Sequence, residues 1–266
     1  MAMALFHWAI PLIYIVKMEP LTGQTDPNPS FELIGRNVHV WSIRTEAPEA
    51  VTEAYEAVLS ADERARAGRF KFPELSQAFA VSRGALRVLL SRYLDVHPNR
   101  VQFEYGPKGK PTVSPQMSLE FNTSHSGGLT LFAFTRNCPI GIDVERIRAI
   151  PDLQDIAQRF FCVAESTELA ALAPAQRELA FFLCWTRKEA YIKAIGQGLS
   201  VPLDGFRVNL DPAEPAQFLH LPVPETEMWT LTNLAVDPGY AAALAYPDSQ
   251  REVTRSQITN PADLLV

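Results

Sequence analysis

Asp143 and Glu145 stand two residues apart in Ile140-Gly141-Ile142-Asp143-Val144-Glu145. If this apolar run is a strand, its side chains alternate, and both carboxylates point to the same side of a sheet. Further on, Trp185-Thr186-Arg187-Lys188-Glu189-Ala190-Tyr191-Ile192-Lys193 offers Glu189 on a helix, with Lys193 one turn along the same face. Three carboxylates around one position, with an ammonium beside them, suit a hard divalent cation that carries a phosphate ester. Plainer readings compete. A D-x-E at a strand end is often a solvated face, and Glu189 and Lys193 are in the right order for a surface pair of ~0.2–0.5 kcal/mol. Against the second, Glu189 shares a helical stripe with Phe182, Trp185 and Ile192. That is the face a helix buries, where a carboxylate is costly unless it is paired or binds a metal.

Other segments offer donors to an anion. Asn122-Thr123-Ser124-His125-Ser126-Gly127-Gly128 brings two seryl hydroxyls, an imidazole and glycine backbone to a turn. Tyr105-Gly106-Pro107-Lys108-Gly109-Lys110-Pro111 is a Gly/Pro-rich loop with two lysines; alone it reads equally well as a solvated turn. Ser60-Ala61-Asp62-Glu63 has the form of a capping box opening a helix with Arg64, Arg66 and Arg69, and Arg83 and Arg87 follow four apart on the next. Arginines clustered in an acidic chain point to an anion, although any one of them is equally an ordinary exposed helix residue.

The elements that must carry these residues occur twice in the same order. A strand at 37–43 precedes polar helical sequence, a long amphipathic helix at 77–94, and short strands near 101–105 and 129–135. The strand at 140–145 precedes short helices within 151–173, a long helix at 176–195 stopped by Gly196 and Gly198, and strands near 206–210, 228–235 and 240–246. This predicts an α+β fold of two pseudo-symmetric halves, 37–139 and 140–247, with the active site in the cleft between them.

Composition fits such a chain. Its 266 residues, 47% hydrophobic, can build a substantial core, and a net charge of −6 argues against nucleic acid as the main partner. Cys138, Cys162 and Cys184 are widely spaced, which predicts reduced thiols in a cytoplasmic protein rather than disulfides or a zinc site. The apolar run 4–16 is too short for a membrane span and lacks a secretory signal's basic start and small-residue cleavage site. Residues 1–36 read as an extension outside the fold, and 248–266 as a polar, poorly ordered tail.

Together the segments resemble the surfactin-type 4′-phosphopantetheinyl transferases from about residue 37 to 246. The resemblance is carried in order by G-K-P at 109–111, F-N-x-S-H-S at 121–126, G-I-D-V-E at 141–145 and W-x-x-K-E-A-x-x-K at 185–193. Gly198-Leu199-Ser200 and Pro202-Leu203 agree as well. The family moves the phosphopantetheine arm of coenzyme A onto a serine of an apo acyl, polyketide or peptidyl carrier, releasing 3′,5′-ADP. The resemblance implies Mg²⁺ held by Asp143, Glu145 and Glu189, with Glu189 also taking the serine proton and Lys193 neutralising the attacked phosphate. It implies that Lys110, Ser124, His125 and Arg83 grip the phosphates of the 3′-phospho-ADP portion. Arg66 and Arg69 fall near a basic stretch of the family, in which Glu63 stands where a base is common. Residues 148–172 match the region that meets the carrier, and a monomer whose site lies between its own halves is expected. Two other classes could use such residues: a magnesium-dependent phosphohydrolase or nucleotidyl transferase, and a silent coenzyme A or carrier binder. The intact set of Asp143, Glu145, Glu189 and Lys193 speaks against the silent binder.

Overall fold

Alternation in the first strand, β1 (Val38–Arg44), assigns its two faces to two different cores. Val38 and Val40 face one, and Trp41 and Ile43 face the other. The computed structural model describes residues 30–114, 118–222 and 228–266. After β1 come helices α1 (Glu49–Ala57), α2 (Ala61–Ala67) and α3 (Pro73–Leu94), then a small hairpin of β2 (Glu104–Tyr105) and β3 (Pro111–Thr112). Strands β4 (Leu119–Ser126) and β5 (Leu129–Arg136) complete the first series. The second series repeats it with β6 (Gly141–Arg146), α4 (Leu153–Phe160), α5 (Val163–Ala171) and α6 (Pro174–Ile195). The hairpin β7 (Arg207–Val208) and β8 (Phe218–His220) and strands β9 (Trp229–Asn233) and β10 (Tyr240–Pro247) follow.

The pseudo-symmetry extends to strand pairing. In the first half β5 lies antiparallel between β1 and β4, and in the second β10 lies antiparallel between β6 and β9. Both long helices have 22 residues, begin with proline, where a missing N–H costs nothing, and end at a left-handed residue, Asp95 or Gly196. One core lies between α3 and the first sheet, around Leu86, Leu89, Phe121, Phe132 and Phe134. Another gathers Phe181, Phe182 and Tyr191 of α6 with Ala241, Ala243 and Ala245 of the second sheet. A third, with Val40, Leu131, Ile142, Val144 and Leu244, joins the two sheets. The predicted α+β architecture of paired halves is therefore the one the chain adopts.

The boundaries at the ends need correction. Residues 253–258 are not a loose tail: β11 (Val253–Ile258) runs parallel to β1, with Val40 opposite Arg255 and Ser42 opposite Gln257. Beyond it, Leu264 is buried in the first core, and Tyr55 donates a hydrogen bond to the carbonyl of Pro261 at 2.6 Å. At the other end the extension expected over 1–36 lies mostly outside the described residues. Its last part belongs to the fold, since Phe31 stacks on Trp41 at 5.1 Å and Leu33 is buried in the first core. Apolar contact overrides the polar composition around these two residues. The strands expected over 101–105 and 206–210 shrink to two-residue pieces, β2 and β7.

Gly141 sets how closely α6 approaches β6. A Cβ there would stand 2.0 Å from the carbonyl oxygen of Ala190 and 2.3 Å from the amide nitrogen of Ala194, both helix backbone. Backbone cannot rotate aside, so Gly141→Ala is expected to cost about 3 kcal/mol or more, at the upper end of overpacking penalties. A urea unfolding midpoint unchanged from the parent protein would show that helix and strand can separate freely.

Candidate active site

Asp143 and Glu145 leave β6 on the face that meets α6, as strand alternation requires, while Ile142 and Val144 enter the core between the sheets. The free edge of β6 faces β4. No backbone ladder joins these strands; side chains of β4 do the work instead. Asn122 Oδ1 accepts from the Ile142 amide at 2.9 Å, Ser124 Oγ from Val144 at 3.2 Å, and Ser126 Oγ from Arg146 at 3.1 Å. The same two hydroxyls donate onward, Ser124 to Asp143 Oδ1 at 2.8 Å and Ser126 to Glu145 Oε2 at 2.7 Å. The period-two row Asn122, Ser124, Ser126 thus ties the halves together and aims two carboxylates. Asn122 is absent from the expected site residues, and Ser126, expected only as a donor to an anion, instead holds Glu145 and the Arg146 amide.

Lys193 extends from α6 to this seam. Its ammonium donates to Asp143 Oδ1 at 2.6 Å and Ser124 Oγ at 3.0 Å rather than turning back to Glu189. The simple surface pair along the helix is therefore not what forms. Glu189 has no hydrogen bond or ion pair among the described residues. Burial raises its pKa first and the charge of Asp143 next, with a smaller push from Glu145 against the pull of Lys193. Burial likewise raises Glu145, with Asp143 adding to it and the Ser126 hydrogen bond opposing.

Asp143, Glu145 and Glu189 thus crowd one another electrostatically, and Asp143 Oδ2 is buried without a hydrogen-bond partner. An orphaned carboxylate oxygen beside two acids of raised pKa is a site short of positive charge, and that fits a divalent cation. Among the described residues, no three acidic, histidine or cysteine side chains converge tightly enough to hold an ion without moving.

The expected phosphate-gripping residues divide into two groups. His125 follows Ser124 at the end of β4 with its side chain reaching solvent. Surrounding protein lowers its pKa first, and the cations Lys193 and Arg66 lower it further against Asp143, so the charge of Arg66 on α2 is felt at His125. Arg66 also lies over the Phe79 ring at 5.1 Å, and Arg69 is exposed just beyond α2. The others are committed to protein partners. Ser124 already makes three hydrogen bonds. Arg83 pairs with Glu63 at 2.5 Å, donates to the Tyr105 hydroxyl at 3.0 Å, and stacks on Phe103 at 3.8 Å. Arg87 takes the other oxygen of Glu63 at 2.6 Å. Lys110 donates to the carbonyls of Ile140 and Ala194 at 3.2 and 3.1 Å, bracing the start of β6 against the end of α6. These positions support the site more than they face it.

Comparison with known proteins follows the same division into halves. A profile of the 4′-phosphopantetheinyl transferase superfamily matches residues 139–245, and one of the 4′-phosphopantetheinyl transferase N-terminal region matches 46–137. The 4′-phosphopantetheinyl transferase HetI of a Nostoc species is 40% identical over 82% of this chain and 90% of its own. The 4′-phosphopantetheinyl transferase Sfp of Bacillus subtilis is 32% identical over 76% of this chain and 89% of its own. A solved holo-(acyl-carrier-protein) synthase of Bacillus anthracis overlays loosely, at 21% identity and a TM-score of 0.35, on 42% of this chain and 96% of its own. Relatives aligned across both halves, including the seam that carries Asp143, Glu145, Glu189 and Lys193, show that this chain belongs to the 4′-phosphopantetheinyl transferase family.

Proposed function

We propose that this protein transfers the 4′-phosphopantetheine arm of coenzyme A to a serine hydroxyl of an apo carrier protein, releasing 3′,5′-ADP with Mg²⁺ as cofactor. The carrying observation is the seam between the halves, where Asp143, Glu145, Glu189 and Lys193 meet beside His125 and Arg66. Asp143, Glu145 and Glu189 would hold the metal, and the unpartnered Oδ2 of Asp143 would be free to face it. Bound there, Mg²⁺ supplies Lewis-acid stabilisation of charge on pyrophosphate oxygens.

The chain's own groups account for the remaining steps. Glu189, uncommitted and of raised pKa, accepts the serine proton directly or through one water. The serine oxygen forms a bond to the pantetheine-bearing phosphorus as that phosphorus loses its bond to the bridging oxygen, and the electron pair leaves with 3′,5′-ADP. Lys193 offsets the charge of the attacked phosphate, a positioning and neutralising role that suits phosphoryl-type transfer. His125, Arg66 and Arg69 meet the phosphates of the departing nucleotide. Arg83 and Lys110 would first have to release Glu63 or two backbone carbonyls. On the second half, α4 and α5 offer exposed Phe160 and Val163 to the carrier. One chain contains all these groups, so a monomer suffices. Among the described residues, no helix is long and apolar enough to cross a membrane.

The test is intact-mass measurement of an apo carrier protein after incubation with the enzyme, coenzyme A and Mg²⁺. The expected result is a gain of one phosphopantetheine arm, abolished by a chelator and restored by added Mg²⁺. Phosphate release from coenzyme A with an unmodified carrier would instead indicate a phosphohydrolase.

A further inference from the structure

Away from the candidate active site, a cavity of about 230 Å³ opens between the first sheet and the turn that joins β9 to β10. Its floor is apolar, with Val40, Leu129, Leu131 and Leu234. Its rim holds Ser42, Gln257, Asp237 and Arg255. Arg255 sits opposite Val40 in the β1–β11 register, on the face turned toward the second sheet. Half-buried guanidinium groups are ordinarily paired. Arg255 has no hydrogen-bond, ion-pair or ring partner among the described residues. Burial alone lowers its pKa, and no neighbouring acid offsets that effect.

The acid on the same rim is already in use. Asp237 forms an ion pair with Arg44 through Oδ2 and accepts from Gln257 Nε2 at 3.4 Å through Oδ1, while Arg44 also donates to the Tyr240 hydroxyl at 3.0 Å. The uncommitted charge facing the cavity is therefore the single positive one of Arg255.

We infer that this cavity is a binding site for a small aliphatic monocarboxylate, with its carboxylate on Arg255 and its chain over Val40, Leu129, Leu131 and Leu234. A guanidinium fork matches the two oxygens of a carboxylate, and the apolar floor rewards a hydrocarbon body that free phosphate lacks. The Asp237 carboxylate on the rim disfavours a dianion. The volume lies below the roughly 300–1,000 Å³ of pockets for drug-sized molecules, so the ligand is a short acid. Its walls come from β1, β5 and β11 of the first sheet and from residues 234–238 of the second half. An occupant would bridge the halves and stabilise their association by mass action.

The test uses the full-length protein with hexanoate, hexanol and inorganic phosphate as probes, read by ligand-observed NMR and thermal unfolding. Hexanoate is expected to bind and raise the unfolding temperature, with hexanol and phosphate each at least about tenfold weaker, a gap of ~1.4 kcal/mol or more. Arg255→Gln should weaken hexanoate by at least about tenfold while leaving carrier loading unchanged. Hexanol or phosphate binding as tightly as hexanoate would overturn the inference without any variant. So would equal hexanoate binding by Arg255→Gln, or no binding by the parent protein. Since the readout is binding at a place distinct from the seam, these outcomes are independent of whether carrier loading occurs.

Discussion

Glu189→Gln is expected to lower turnover by about 10²–10⁴-fold, the usual worth of a positioned general base. The amide keeps the size and shape of the carboxylate, so α6 retains its packing and Lys193 its bonds to Asp143 and Ser124. It cannot take a proton from serine near neutral pH. The Michaelis constant for coenzyme A should change by less than about tenfold, because a base engaged in the transition state shows its loss in turnover. Asp143→Ala provides the contrast. It removes the partner of both Lys193 and Ser124 along with the orphaned oxygen assigned to the metal, so turnover and magnesium dependence should fall together. Single-turnover carrier loading across a magnesium titration separates the two variants. Ordinary turnover by Glu189→Gln would remove its role as base.

The parts of the fold that were legible in sequence are those whose signals are local. Apolar alternation in β1 and β6, the helical stripe of α6 and the left-handed stop at Gly196 each come from a few adjacent residues. Their repeated order predicts two halves, and the matching antiparallel pairings follow from it. What was not legible depends on partners distant in the chain. β11 carries Thr254, Arg255, Ser256 and Gln257, a polar edge strand that makes sense only once β1 exposes an edge for it. Phe31, Leu33 and Ile34 form an apolar patch between Pro29 and Gly35 that is too short for its spacing to mark an element.

The site follows the same rule. D-x-E and the helical Glu189 were readable because spacing alone fixes their faces. Which cation meets which anion was not. Lys193 crosses to β6 rather than pairing along its helix, and Arg83 is claimed by Glu63 from another helix. The bonds from Asn122, Ser124 and Ser126 to the β6 backbone need a neighbour that no spacing within β4 reveals.

Lys188→Met is expected to destabilise the protein by about 3–5 kcal/mol, the cost of breaking a buried ion pair by removing one partner. Lys188 lies one residue before Glu189 but on a different face of α6, and it is completely buried. Its ammonium donates to Glu165 Oε1 at 2.8 Å and to the carbonyls of Leu203 and Phe206 at 2.7 and 2.6 Å, above the Phe206 ring. Three donors meet three acceptors. Glu165 is equally occupied, taking the Val208 amide at 2.8 Å and the Cys162 amide at 3.0 Å. The pair thereby fastens the start of α5 and the segment before β8 to the middle of α6. Methionine fills much of the stem's volume but leaves a buried carboxylate and two carbonyls short of donors, each a separate cost. Adding Glu165→Gln removes the stranded charge, so the double variant should recover at least about 1 kcal/mol relative to Lys188→Met, a direction that simple loss of packing would not produce. Urea unfolding of the parent, both single variants and the double completes the cycle. If Lys188→Met unfolds within about 1 kcal/mol of the parent, this pair does not secure α6, and the placement of Glu189 must rest on the packing of α6 against the second sheet and its close approach to Gly141.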